Sequence, residues 1–519
     1  MYQPTVKEYQ MDLYRQPVLM GIDLGATGIK AAVFGLDGAL VASASRRNGP
    51  VRQPGGKDGW LVWDADDIWG KVCECTREVI ASLASPDLVR GVSVSGFGVD
   101  GAPVDREGRL LYPLSSWHDT RNTDETRWLT EQIDPYELYE ITGFHNYGMQ
   151  TVNRLRWLAV HEPDVLKKAH RYLMTQDFLV NRLSGEFTTE ITMASTTTAL
   201  DIDEDRWSDR IFDTIGVDKA IFPAISQSGK KIGEVTVESA AASGIPQGTP
   251  VATGGHDCEI GALGAGVTDP ETFVDITGTW EMIIANLGEF TPNRALFAAG
   301  IDWERHCLPG RYLCQGLMLA GGVVEWIGAQ FYRDLAGDSL YEAMIQEATA
   351  FGPGAGGVTV LPSFMKGAGP FQAHGSLGTI LGLTTTTSRG QIIRAVFEST
   401  CYQLARQISV IEDNTSASCR RIRALGGVQK NEFWLQMKAD VTGLTVEVVD
   451  NPEVTLLGAA ILAGIGAGIY RNAEDALAGM SFPMRSYQPD MARNSEYRAI
   501  YDSTFSKIAP ALEGIYQGG

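Results

Sequence analysis

In Val18-Leu19-Met20-Gly21-Ile22-Asp23-Leu24-Gly25-Ala26-Thr27-Gly28-Ile29-Lys30-Ala31-Ala32-Val33-Phe34, an apolar run enters a turn at Asp23 and resumes beyond Gly28. This is the pattern of a strand, a tight glycine turn and a second strand. It returns at Phe273-Val274-Asp275-Ile276-Thr277-Gly278-Thr279-Trp280, continuing through Glu281-Met282-Ile283-Ile284-Ala285. Asp23 to Thr27 and Asp275 to Thr279 each span four steps, with a Gly and a Thr between apolar strands. Two similar α/β lobes facing one cleft would explain the echo; a coincidence between two glycine hairpins is the alternative.

Outward from the first hairpin, Ile68, Val72, Cys75, Val79 and Leu83 recur at helical spacing, with Asp64 and Asp66 as candidate caps. Val89 to Ser95 reads as a further strand leading into Gly96-Phe97-Gly98-Val99-Asp100-Gly101. Residues 124 to 235 read as a helical, irregular insertion or cap on the first lobe, and Leu110 to Leu114 within the approach to it as strand-like. Thr249 to Thr253 is another strand, ending in Gly254-Gly255-His256-Asp257. The domain boundary falls just after that turn, giving lobes 1–261 and 262–519. Strands followed by helices recur throughout, the α/β signature.

With 519 residues the chain exceeds one compact domain. Lys and Arg total 43 against 63 Asp and Glu, a net charge of −20 that repels polyanions and argues against nucleic acid as a partner. Seven cysteines without a CxxC pair give neither a disulfide framework nor zinc spacing, and fit a reducing cytoplasm. Met1 to Gln16 lacks the apolar centre of a secretory signal. The uncharged stretch Val454 to Tyr470 is short for a bilayer span and rich in glycine, so it is expected as a closely packed buried helix, and no membrane partner is expected.

Glycine turns with Thr present backbone N–H groups and hydroxyls that suit phosphate oxygens. Asp23 at such a turn could hold Mg²⁺, directly or through water, or simply cap the turn. His256-Asp257 at a strand end is the best candidate for acid/base work. Asp100 on a similar loop could bind substrate hydroxyls, and Trp117, His118, Asp119 and Arg121 form a polar and aromatic cluster suited to a sugar. Each of these also has a plain reading, Trp117 as core packing and His256 as a satisfied buried histidine. Ala424-Leu425-Gly426-Gly427-Val428-Gln429-Lys430-Asn431 ends a strand in a Gly pair that a flat base could approach. No P-loop, zincin helix or nucleophile elbow occurs, and Gly352 to Gly357, formally GxGxxG, precedes an apolar run and reads as a loop.

Taken together these residues resemble the FGGY family of carbohydrate kinases from Val18 to about Tyr470. Gly378-Thr379-Ile380-Leu381-Gly382-Leu383 followed by Gln391 to Glu398 resembles the family's second signature, and Met149 to Leu158 its first, with Arg154 where Lys is usual. The resemblance implies two actin-like, RNase H-like lobes with ATP and sugar in the cleft between them. It implies phosphate loops at Gly25, Ala26, Thr27 and Gly28 and at Thr277, Gly278 and Thr279, and an adenosine stretch at Gly426, Gly427 and Asn431. It further implies Asp257 as catalytic base, Asp23 and Asp257 beside Mg²⁺, and a sugar site drawing on Asp100, Gly101, Trp117, Arg121, His256 and Asp257. The expected reaction is in-line transfer from ATP to a ketose, L-fuculose first, with L-rhamnulose, xylulose or ribulose as alternatives. A non-catalytic sugar or nucleotide sensor and a hydrolase pairing Asp100 with Asp257 are the readings from other classes, and a homodimer is left open.

Overall fold

The structure, a computed structural model, describes residues 13–365 and 375–516, so most of the Met1 to Gln16 segment lies outside the described residues. The first hairpin forms as expected: β1 (Val18–Leu24) pairs antiparallel with β2 (Gly28–Gly35), and β2 with β3 (Leu40–Arg47). Next comes α1 (Ala65–Ile80), where the Asp64 carboxylate accepts the N–H groups of Asp66 and Asp67. Its buried Ile68, Val72, Cys75 and Val79 lie in one apolar cluster with Val18, Met20, Ile22 and Leu24. The sheet is completed by β4 (Val89–Gly96), parallel to β1, and by β5 (Lys231–Glu234) and β6 (Pro250–His256). Its order is β5-β6-β4-β1-β2-β3. Between β4 and β5 the chain builds the expected insertion, which has its own core around Leu129, Val152, Leu155, Trp157 and Phe212. The strand expected at Leu110 to Leu114 shrinks to Leu114–Ser115.

From β6 the chain passes directly into α3 (Asp257–Gly264), counting Thr175–Ser184 as α2. The second sheet repeats the first. It contains β7 (Thr272–Thr277), β8 (Trp280–Leu287), β9 (Ile301–Arg305), β10 (Tyr312–Leu319), β11 (Arg421–Gly426), β12 (Thr445–Val449) and β13 (Met484–Tyr487), in the order β9-β10-β8-β7-β11-β12-β13. As in the first sheet, a hairpin opens it, and β7, β11 and β12 run parallel. Its outer face is covered by α4 (Arg389–Asn414) and α5 (Glu432–Thr442).

The lobes exchange helices. α6 (Val454–Gly466), although it follows β12, lies on the first sheet, where Leu456, Ala460 and Ala463 share a core with Leu19, Ala32 and Phe34. Ala262 and Ala265, in and just after α3, share theirs with Val274, Ile284 and Leu425 of the second sheet. The two helices cross almost backbone to backbone: a Cβ on Gly458 would meet the Ile260 carbonyl oxygen at 1.9 Å, and one on Gly264 the Val454 oxygen at 1.8 Å. Glycine at both positions is what permits the crossing. The stretch read as a buried helix is therefore one, and no helix among the described residues is long and apolar enough to cross a membrane.

Candidate active site

Asp23 sits at the end of β1 beneath the first turn, where Ser95 Oγ donates to its Oδ1 at 2.8 Å. Burial, then the nearby charge of Asp257, push its carboxyl up from 3.8 to about 7. Across the lobe boundary Lys30 Nζ pairs with Glu453 at 2.9 Å. The turn above is closed by the Gly25 N–H donating to the Gly28 carbonyl and braced by Asn48, whose side chain donates to the Gly25 oxygen and whose N–H donates to that of Thr27. Thr27 is exposed, and Gly25, Ala26 and Gly28 partly so. Two carboxylates with one of them held up in pKa form an oxygen-donor set that a hard divalent cation would neutralise.

Asp257 is the first residue of α3, its side chain about a third exposed at 32%. Beside it the His256 main chain is fixed by its N–H donating to Thr192 Oγ1, which in turn donates to the buried Glu190. The His256 ring lies between lobes. Its Nδ1 is 2.9 Å from Glu304 Oε2 and 3.3 Å from Glu259 Oε2, while Nε2 is 3.6 Å from Asp257 Oδ1. Burial opposes the charged ring, yet Glu304 and Glu259 hold its pKa well above the ordinary value. Burial and the charge of Glu304 push Glu259 upward, while the His256 ring, against the effect of burial, holds Glu304 below its ordinary value.

The second turn is built differently beneath. Asp275, the counterpart of Asp23, is fully buried with Glu281, and Lys438 Nζ lies 2.5 Å from each and 2.8 Å from Thr277 Oγ1. This carboxylate is thus neutralised by protein. Above it Gly278 and Thr279 are exposed, with the Thr279 carbonyl accepting the N–H groups of Ala320 and Gly322. Gly426, at φ +84, and Gly427 are exposed beside Thr277, whose carbonyl oxygen a Cβ on Gly426 would meet at 2.6 Å. Asn431 caps α5, its side chain accepting the Trp434 N–H. Gly278 and Thr279 thus follow Thr277, Gly426 and Gly427 lie against its carbonyl, and Asn431 caps the helix that comes after them.

The expected sugar residues divide. Asp100, expected at substrate hydroxyls, lies inside the protein. It is fully buried, Oδ2 accepts the Trp63 indole N–H at 2.6 Å and the Trp117 N–H at 3.0 Å, and Oδ1 lies 2.6 Å from Arg154. Val99 before it holds φ +62, unusual for a β-branched residue, with its N–H on Thr196 Oγ1 and its carbonyl accepting Thr151 Oγ1. Gly101 is packing: a Cβ there would meet the Tyr172 ring at 2.4 Å. Arg121 is buried too, spent on Asp119, Tyr112 and Gln53 and stacked on Trp60. Trp117 keeps a partly exposed ring, stacked on the exposed His118. Glu304 and Lys438 carry no local signal in the sequence, since they lie 48 and 163 positions from His256 and Asp275, whereas Glu259 and Glu190 sit three and two residues from His256 and Thr192, at spacings common in any helix or turn.

A two-lobed actin-like fold with paired glycine turns over a cleft, and carboxylates at the foot of one, defines a phosphotransferase of the sugar-kinase type. The chain matches the FGGY family of carbohydrate kinases, N-terminal domain, over residues 18–264 and the C-terminal domain of the same family over 274–467. It belongs to that family. Among curated relatives, L-fuculokinase of Escherichia coli (strain K12) is 31% identical over 475 residues, covering 92% of this chain and 98% of that protein. Xylulose kinase of Bacillus subtilis (strain 168) is 26% identical over 93% of this chain and 95% of its own length. Among solved structures, xylulose kinase from Rhodospirillum rubrum superimposes with a TM-score of 0.86 at 25% identity, covering 96% of this chain and all of that one. Glycerol kinase from Plasmodium falciparum with ADP gives 0.83 at 19% identity, covering 96% and 99%, a likeness of fold. The chain is a sugar kinase that uses ATP, and the sensor and hydrolase readings fall with that assignment.

Proposed function

We propose that the chain phosphorylates a ketose, L-fuculose first, on its terminal hydroxyl by direct in-line transfer from ATP. Asp257 carries the reading, as the partly exposed carboxylate at the cleft end of α3, where it can accept the hydroxyl proton as the new O–P bond forms. The bond between the γ-phosphorus and its bridging oxygen breaks, and ADP leaves. In this reading the first lobe, 1–261, binds sugar and supplies the base, and the second, 262–519, binds nucleotide through Thr277, Gly278, Thr279, Gly426, Gly427 and Asn431. The turn from Gly25 to Gly28 closes over the transferred phosphate. Asp23 and Asp257 would hold Mg²⁺, which when bound offsets charge on the phosphoryl oxygens. Trp117 and His256 face the sugar, and Asp100, Gly101 and Arg121 hold Trp117 and its loop in place.

The choice of L-fuculose is supported by the 31% identity to L-fuculokinase, and xylulose is the runner-up from the relatives at 26%. The test is ADP release from Mg-ATP across L-fuculose, L-rhamnulose, the xyluloses and ribuloses, D-fructose and glycerol. One strongly preferred ketose is expected, and a preference for xylulose would replace L-fuculose. Asp257→Asn should lower turnover on that sugar by about 10²- to 10⁴-fold while sugar binding stays measurable by calorimetry. Near-normal turnover would remove Asp257 from the base role.

A further inference from the structure

Strand β9 belongs to the sheet of the second lobe, yet polar groups all along it also reach into the first. Asp302 Oδ1 lies 2.6 Å from His145 Nδ1 and accepts the His145 N–H. The Trp303 N–H donates to the Gly143 carbonyl, the Arg305 N–H to Ser195 Oγ, and the Arg305 side chain pairs with Asp205 at 2.8 Å. Glu304 sits in the middle of this seam, 1% exposed, with Oε2 on His256 Nδ1 and Oε1 accepting from Gln315 Nε2 at 2.5 Å. The main chain of His256 is already fixed by Thr192. What Glu304 adds is the orientation of the ring, whose far nitrogen faces Asp257.

We propose that Glu304 is a positioning residue for phosphoryl transfer: reaching from the second lobe, it fixes the His256 ring, and the ring steadies Asp257 in the direction from which it takes the sugar's proton. The inference rests on Asp257 being the base. Displacements of about 1 Å at a reacting group cost on the order of 10²-fold in rate, so a ring left free to turn next to the base has a measurable consequence. Because Glu304 arrives with the nucleotide-bearing lobe, the base is aligned only while the two lobes are seated against each other along β9.

The experiment is steady-state kinetics on the preferred sugar for Glu304→Leu, Glu304→Gln, His256→Asn and the Glu304→Leu/His256→Asn double variant. Glu304→Leu is expected to lower kcat by about 10²-fold with the KM values of ATP and sugar little changed. Glu304→Gln should recover most of kcat. Its amide oxygen still accepts from Nδ1, and its amide N–H finds Gln315 Oε1, which has no hydrogen-bond partner among the described residues. His256→Asn should lower kcat at least as far as Glu304→Leu and, because His256 also faces the sugar, raise the sugar KM as well; the kcat of the double variant should be no lower than that of His256→Asn alone. Losses in kcat that multiply in the double variant, a Glu304→Gln as impaired as Glu304→Leu, or a Glu304→Leu loss carried by KM would each overturn the proposal. If Glu304→Leu does not fold, Glu304→Asp takes its place: it keeps the charge but shortens the reach, and it should be slower than Glu304→Gln. The reverse order would overturn the proposal. Asp257→Asn separates the two readings. Near-normal turnover there sinks the base assignment, whereas an inactive Asp257→Asn beside a fully active Glu304 series sinks only this proposal.

Discussion

Asp23 and Asp275 occupy matching places at the ends of β1 and β7, yet their surroundings differ. Asp275 has Lys438 within 2.5 Å, while Asp23 has a hydroxyl and the charge of a second carboxylate. Burial and Asp257 raise the folded-state pKa of Asp23 to about 7, so the folded chain prefers the protonated form. Holding it ionised therefore costs stability that grows as pH rises from the unfolded value of 3.8 through about 7. In Mg²⁺-free buffer Asp23→Asn should raise the melting temperature at about pH 8.5, and the gain should shrink as pH falls toward about 5.5. Scanning calorimetry at the two pH values checks this, and an equal gain at both would mean that the carboxylate is not under strain. Both aspartates were visible in the sequence as an echo. The difference between them was not, because it lies in Lys438, 163 positions from Asp275.

At the scale of elements, the hairpins, the strand-to-loop transitions and α1 follow from alternation, turn glycines and an Asp cap, all local signals. Asp100 and Arg121 show the limit of local signals: a carboxylate at a strand end and an arginine in an aromatic cluster look the same whether they face a ligand or pair inside the protein. Their partners Trp63, Arg154 and Gln53 come from elsewhere in the chain, so no local pattern announces them. The family signatures behave likewise. Arg394 and Glu398 pair at 2.7 Å inside α4, and Glu398 accepts the Gly354 N–H. The crossing of α3 and α6 yields a prediction of its own. Gly→Ala within a helix ordinarily stabilises by about 1 kcal/mol, whereas overpacking costs about 1–3 kcal/mol. Gly458→Ala should fall on the destabilising side in urea unfolding, with kcat lowered as well; a stabilised variant would mean that the helices separate freely.

For the whole molecule, the proposed placement of sugar and nucleotide sites on opposite lobes predicts cooperative binding, since whichever binds first would draw the lobes together for the other. Each ligand at 100 times its Kd stabilises by about 2.7 kcal/mol. Sugar together with a non-hydrolysable ATP analogue should raise the melting temperature by more than the two separate shifts combined, and small-angle scattering should show a smaller radius of gyration only with both. Strictly additive shifts would speak for lobes that do not move.

The exchange of helices also bears on how the protein is made. A nascent chain that has reached residue 261 holds every strand of its first sheet, but the face built by Leu19, Ala32 and Phe34 waits for α6, whose last residue is Gly466. At ~5–20 residues per second the ribosome needs on the order of ten seconds or more to deliver it. Throughout that interval the apolar face that α6 covers has no partner in the chain already made, so the first half of this enzyme is expected to draw on chaperones until the second half is nearly complete.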